Sequence, residues 1–201
     1  MTPEDLRLRS RVKDELRRRM RAIRKAHPPE TRAARSERAR DRLVALDVWA
    51  QAETIAGYFP IHGELDPRPA LEAARAAGKR TALPRVDMEA QRVVLHAWTG
   101  EGDLEPGAFG IPEPHPDAPE LERVDLVLVP ALAIDAQGHR IGWGKGFYDQ
   151  LLAGEAAGAV RVGYVYDFQL LAECPVMPHD VPVQWVVTDT RAFSVDPLPA
   201  Q

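Results

Sequence analysis

Val124-Asp125-Leu126-Val127-Leu128-Val129, closed by Pro130, is the stretch on which the fold turns. From Leu126 to Val129 the residues are continuously aliphatic instead of alternating apolar and polar. A strand of that kind needs apolar neighbours on both faces, which suits the centre of a parallel sheet covered by helices on both sides. Further strands are expected on either side of it in sequence, at 54–59 before Pro60, at Arg80–Pro84, at Gln91–Trp98, at Val160–Tyr166 and at Trp185–Thr188. Helices are interleaved with them. One runs from Pro67 to Ala77 and stops at Gly78, and the Gly-rich turn that opens the stretch Gly142–Gly154 leads into another. Ahead of the strands, Leu8, Val12, Leu16, Met20 and Ile23 recur every three or four residues and predict a helix over 4–26 with an apolar stripe. His27-Pro28-Pro29 ends it, and a second helix is expected over Pro29–Ala45. Residues 106–119, PGAFGIPEPHPDAP, carry so much Pro and Gly that no regular element is expected there. Strands alternating with helices, without an internal repeat, give an α/β fold with a mostly parallel or mixed central sheet. A single domain over 1–201 is expected, with basic N-terminal helices over 1–45 and an α/β body over 46–201.

The composition agrees with this class. The 201 residues are 45% hydrophobic, enough for a core of one α/β domain, so intrinsic disorder is excluded as the main state. No apolar stretch approaches the ~20 residues that span a bilayer. The start of the chain lacks the apolar segment of a secretory signal, and a cytoplasmic protein without membrane contact is expected. A single cysteine, Cys174, excludes an intramolecular disulfide and a thiolate metal site. The net charge of −4 is unevenly spread: residues 1–42 hold 15 Lys and Arg against 7 Asp and Glu, a net of +8, so the remainder carries −12.

The densest chemistry lies in Gly138-His139-Arg140-Ile141-Gly142-Trp143-Gly144-Lys145-Gly146-Phe147-Tyr148-Asp149. Glycines at 142, 144 and 146 leave backbone N–H groups free to converge on an anion, and Arg140 and Lys145 add positive charge, so phosphate is the natural ligand. The alternative is a structural turn. Two familiar phosphate loops do not fit: a Walker A loop would need Gly at His139 and Ser or Thr at Gly146, and a dinucleotide fingerprint would need Gly at Phe147. On the first helix Lys13 and Arg17 share a face that Arg21 and Arg24 continue, read either as solvated or as a cap on a polyphosphate. Asp149 follows the glycines directly, where a carboxylate can hold Mg²⁺ against phosphate oxygens. Asp180, in Pro178-His179-Asp180-Val181-Pro182, is read from its context alone as a turn-former. None of Ser10, Ser36 and Ser194 sits in a nucleophile elbow, and the six histidines show no metal-ligand spacing.

These pieces together resemble the 5-formyltetrahydrofolate cyclo-ligase family, also called 5,10-methenyltetrahydrofolate synthetase. Arg140 to Asp149 is similar to its glycine signature. Lys13-Asp-Glu-Leu-Arg17 is similar to its KxxLR, and Tyr58-Phe59-Pro60 with Gly63-Glu64-Leu65-Asp66 to its strand and GE loop. Gly110-Ile111-Pro112-Glu113-Pro114 resembles its GIxEP loop, and Pro178-His179-Asp180 with Val186-Val187-Thr188 its C-terminal end. The resemblance implies a three-layer α/β/α fold and an ATP- and Mg²⁺-dependent ligase of one-carbon metabolism. Such an enzyme phosphorylates the formyl oxygen of 5-formyltetrahydrofolate, closes the ring through N10 and releases ADP and phosphate. It implies that Lys13 and Arg17 meet ATP phosphates, and that Arg140 with the loop Ile141, Gly142, Trp143, Gly144, Lys145, Gly146, Phe147 and Tyr148 holds the rest of the nucleotide. Lys145 and Arg140 would carry the catalytic charge, Asp149 and Asp180 the Mg²⁺. Phe59, Glu64, Trp143 and Phe147 would face the reduced folate. Small-molecule substrates are the expected partners of a monomer that binds no nucleic acid. Phe147 stands where the family often has Tyr, which keeps a ring and loses a hydroxyl, and Gln184 stands where Asp is frequent. Two rival readings are a nucleic-acid grip by the basic arm, and a sugar-phosphate isomerase or thioester transferase on a related fold.

Overall fold

The computed structural model describes residues 2–90 and 92–195. Gln91, which opens the strand expected at 91–98, lies outside the described residues, as do Met1 and 196–201. The chain begins with helix α1 (Pro3–Ala26), a 3₁₀ turn at Pro29–Thr31, and helices α2 (Arg32–Val44) and α3 (Asp47–Gln51). Strand β1 (Thr54–Ala56), helix α4 (Arg68–Ala76) and strands β2 (Arg80–Asp87), β3 (Arg92–Ala97), β4 (Leu104–Pro106) and β5 (Pro112–Pro114) follow. Next come β6 (Leu126–Val129), β7 (Ala133–Asp135), β8 (Arg140–Ile141) and helix α5 (Phe147–Ala153). Strands β9 (Val160–Tyr164), β10 (Leu170–Leu171), β11 (Trp185–Val187) and β12 (Ala192–Ser194) complete the order.

The main sheet has seven strands in the order β12-β11-β9-β6-β1-β2-β3. The five inner strands are parallel, and β12 and β3 join antiparallel at the edges. Strand β6 is central, as its continuous aliphatic run requires. Leu126 and Leu128 face a cluster with Ala39 and Leu43 of α2, Trp49 of α3 and Leu71 of α4, while Val127 and Val129 face Leu151 and Leu152 of α5. Helices thus cover both faces, which makes the arrangement three-layered. The strand order reverses between β1 and β6: the chain passes from β1 to β2 on one side, and from β6 to β9 and β11 on the other. Outside the carboxyl ends of the strands such a reversal leaves a crevice. A second sheet, β10-β7-β8, lies under α1, whose Met20, Leu16 and Ile23 pack with Leu132, Ala133, Ile141 and Cys174.

Three sequence expectations are corrected. The apolar stripe of α1 is not buried as a whole: Leu8 and Val12 are 61% and 40% exposed, whereas Lys13 and Arg24 are buried. The helix docks by its cations as well as its apolar residues. The stretch 106–119 does hold regular structure, because Pro106 and Pro112 pair at the end of a two-stranded ribbon, β4 with β5, closed by Gly107 N–H on Ile111 O at 2.9 Å. Short ribbons tolerate Pro where central strands do not. Finally, β2 runs on through Pro84 to Asp87; its partner β1 pairs only as far as Ala82, so β2 beyond that point is an edge open to Pro.

Leu128→Ala removes a fully buried side chain from the central strand. It is expected to lower the free energy of unfolding by about 3 kcal/mol, read as a reduced urea midpoint at unchanged m-value.

Candidate functional site

A cavity of about 730 Å³ occupies the crevice above β1 and β6. Its walls come from α1 (Lys13, Arg17, Arg21), the segment after β1 (Tyr58, Phe59, Glu64), the glycine-rich loop, the β4–β5 turn (Phe109, Ile111) and the 177–180 loop. Five distant segments therefore meet at one place, which only the fold brings about.

One side of the cavity is charged. Lys13, buried on α1, donates to Asp180 Oδ2 at 2.5 Å, and the same oxygen accepts the Met177 N–H at 2.7 Å. Arg140 donates to Asp149 Oδ1 at 2.7 Å and to the Val181 carbonyl, and the Val181 N–H returns to Asp149 Oδ1 at 3.2 Å. The two ion pairs are thus joined through the 177–181 loop. Arg17 donates from Nε to the Gly142 carbonyl at 2.9 Å. Gly144, at φ +92°, faces that guanidinium so closely that a Cβ would lie 3.2 Å from Arg17 Cζ. Lys145 is exposed, its ammonium 5.5 Å from the Phe109 ring centroid. Among the described residues no three His, Cys, Asp or Glu side chains form a metal cage. Mg²⁺ does not need one, since it commonly takes one or two carboxylates and completes its shell with water and substrate phosphate. Asp149 and Asp180 both line the cavity and commit one oxygen each to the hydrogen bonds just described, so they fit that mode.

The other side is aromatic around one carboxylate. Residues 61–64 form a turn closed twice, by Glu64 N–H on Ile61 O and by Ile61 N–H on Glu64 Oε2, each at 3.0 Å. Gly63 has φ +74° there, and a Cβ would come within 2.8 Å of Arg32 Cζ. Glu64 Oε1 accepts the Trp143 Nε1–H at 2.8 Å. Burial pushes the Glu64 carboxyl above its ordinary pKa; the nearby Arg24 charge, the Ile61 N–H and the Trp143 N–H oppose that push without cancelling it. His62 lies 5.1 Å from the Trp143 ring and Arg21 5.3 Å from it. Tyr58, below, donates to the Leu65 carbonyl at 2.6 Å. Tyr148 has a buried hydroxyl with no hydrogen-bond partner among the described residues, and burial keeps its phenol from ionising.

Of the residues singled out from sequence, Lys13, Arg17, Phe59, Glu64, Arg140, Gly142 to Asp149 and Asp180 all line this one cavity. Ile141 does not. It is fully buried beneath the floor, packed with Met20, Leu132 and Cys174, because β8 alternates and only its neighbours Arg140 and Gly142 turn to the cavity. Phe109, Ile111 and Glu113 also line the cavity, although in the sequence no pattern marks Phe109 and only the GIxEP resemblance marks the other two. Arg21 and Arg24, readable from sequence as solvated or phosphate-facing, both lie against Trp143. The available signal was their continuation of the Lys13 and Arg17 face.

Residues 9–189 match the family model described as the 5-formyltetrahydrofolate cyclo-ligase family. The chain is 34% identical over 189 residues to the 5-formyltetrahydrofolate cyclo-ligase of Mycolicibacterium smegmatis, covering 91% of this chain and 96% of that one. It is 31% identical over 179 residues to the enzyme of the same name from Escherichia coli K12, covering 87% and 98%. Among solved structures, the Aquifex aeolicus 5,10-methenyltetrahydrofolate synthetase superposes with a TM-score of 0.81 at 31% identity, over 94% of this chain and 96% of that one.

The raised pKa of Glu64 has a thermodynamic counterpart. Its folded-state pKa lies above the unfolded one, so the stability it contributes is present below the ordinary carboxylate range and lost as pH rises through the folded value. Glu64→Gln has no such proton to lose. Its unfolding free energy relative to the parent chain is expected to rise as pH increases through and above the ordinary carboxylate range in urea titrations; a flat or falling difference contradicts the buried, charge-opposed carboxylate.

Proposed function

The chain belongs to the 5-formyltetrahydrofolate cyclo-ligase family, and from that membership and the two-sided cavity we propose that it converts 5-formyltetrahydrofolate to 5,10-methenyltetrahydrofolate using ATP. The observation that carries the reading is the meeting, in one cavity, of a phosphate-suited wall and an aromatic wall holding one buried carboxylate. The first comprises Lys13, Arg17, Arg140 and the glycine loop with Lys145, the second Phe59, Trp143, Phe147 and Glu64.

The N5-formyl group is an amide and a poor electrophile, so its oxygen must become a leaving group before the ring can close. Transfer of the γ-phosphoryl group of ATP to that oxygen does this. The N10 lone pair then attacks the formyl carbon, the C–O bond breaks, and the oxygen departs in phosphate together with the N10 proton. No side chain is needed as a strong base. What the reaction asks of the protein is alignment and charge neutralisation. Lys145, exposed, supplies a point charge to the phosphates, and Arg140, held by Asp149 and the Val181 carbonyl, a planar one. Lys13 and Arg17 flank the same space from α1. Asp149 and Asp180 would hold Mg²⁺, whose charge would offset that of the phosphates. Glu64 orients the pterin through hydrogen bonds, Phe59 and Phe147 provide ring faces, and the Tyr148 hydroxyl remains a neutral donor.

ATP-dependent growth of the near-ultraviolet absorbance of the conjugated product is the test, and its absence with all substrates and Mg²⁺ present overturns the reading. Lys145→Ala is expected to reduce kcat by about 10²- to 10³-fold with an unchanged circular dichroism spectrum. Asp149→Ala is expected to raise the Mg²⁺ concentration needed for half-maximal rate, and activity equal to the parent's in both variants would reduce the glycine loop to a turn.

A further inference from the structure

Phosphoryl transfer gives no reason for Arg24. It lies on the buried face of α1, 1% exposed, and neither Nη1 nor Nη2 reaches a hydrogen-bond partner among the described residues. Its Nη1 stands 3.7 Å from Glu64 Oε1, an ion pair but too long for a hydrogen bond. Its Cζ lies 5.0 Å from the Trp143 ring centroid, while Trp143 Nε1 donates to the same Glu64 Oε1 at 2.8 Å. Three side chains thus close a triangle, each touching the other two. An incompletely bonded guanidinium buried in the wall is costly to fold around, and an apolar residue of similar size would often serve stability as well or better. Its presence is accounted for by what it does to its two neighbours.

We propose that Arg24 is a positioning residue for the folate side of the cavity, fixing the Trp143 ring by stacking and the Glu64 carboxylate by charge so that both meet the substrate in one arrangement. The inference rests on reading this wall as the folate site. A guanidinium suits both tasks at once, since it is planar enough to lie on an indole and permanently charged. Lysine would supply the charge without the plane. Arg21, which also approaches Trp143, lines the cavity itself and has no ion pair with Glu64 among the described residues, so it cannot take over the second task.

The test compares Arg24→Met, Arg24→Lys, Glu64→Gln and the double variant R24M/E64Q in the full chain. Arg24→Met is expected to raise KM for 5-formyltetrahydrofolate about tenfold while KM for ATP stays within about twofold. It should also shift the part of the tryptophan emission that Trp143→Phe removes. Added to Glu64→Gln, the same substitution should cost much less, because part of its effect passes through that carboxylate. Arg24→Lys should leave the emission shifted and recover only part of the folate KM. If Arg24→Met does not fold, the double variant, which leaves no unpaired charge, and Arg24→Lys carry the comparison. Unchanged emission and folate KM overturn the proposal, as does a loss shared equally between the two substrates and independent of Glu64. Emission needs no turnover, so an inactive parent chain overturns the functional reading, whereas an active parent with unaltered Arg24 variants overturns this role alone.

Discussion

A lysine 13 residues into the chain and an aspartate at 180 meet at 2.5 Å, both nearly buried, and the site depends on that contact. It fastens α1 across the open side of the crevice. Together with Arg17 on the Gly142 carbonyl and the packing of Leu16, Met20 and Ile23, it sets the wall that carries Arg17 and Arg21 and the place of Arg24 beside Glu64. Arg9, donating to the Val176 carbonyl at 3.0 Å, holds the helix to the same loop one turn earlier. A buried pair of this sort adds little net stability, because desolvating both charges offsets their attraction, but leaving either partner alone is severe. The contact therefore specifies where α1 sits more than it stabilises the fold.

The uneven charge along the sequence follows the same logic. The first 42 residues are strongly positive and the rest strongly negative, which invites a search for an external partner. Part of the complementarity is internal. Lys13 pairs with Asp180, Arg24 with Glu64, and Arg35 and Arg38 with the buried Asp189. These four cations of the basic helices meet carboxylates of the acidic body, and at the cavity other cations still line a space suited to phosphate.

What the sequence made legible was whatever local physics controls. The aliphatic run at Leu126–Val129 could only be a strand buried on both faces, and it is the central one. The glycines at 142, 144 and 146, with Arg140 and Asp149, marked most of one wall because backbone freedom and charge are visible in a short window. The family resemblance added Glu64 and Phe59. The face on which α1 docks was not legible, because periodicity counts apolar residues and cannot know that Lys13 has a carboxylate waiting 167 residues away. Ile141 was misplaced for a related reason: one residue of strand alternation decides between floor and cavity. The β4–β5 ribbon was hidden by its own prolines, whose pairing with each other is a property of two segments and not of either.

Closure by residues so far apart in sequence has a consequence during synthesis. A polypeptide emerging from the ribosome exposes Lys13 long before residues 177–181, since Lys13 and Asp180 are 167 residues apart. Until Asp180 has emerged Lys13 lacks the carboxylate it is buried against, so the site cannot close before that point. A chain stopped just before Asp180 lacks β11 and β12 and leaves Lys13 an unpaired cation at the crevice, a species better suited to recognition by quality control than to binding a nucleotide.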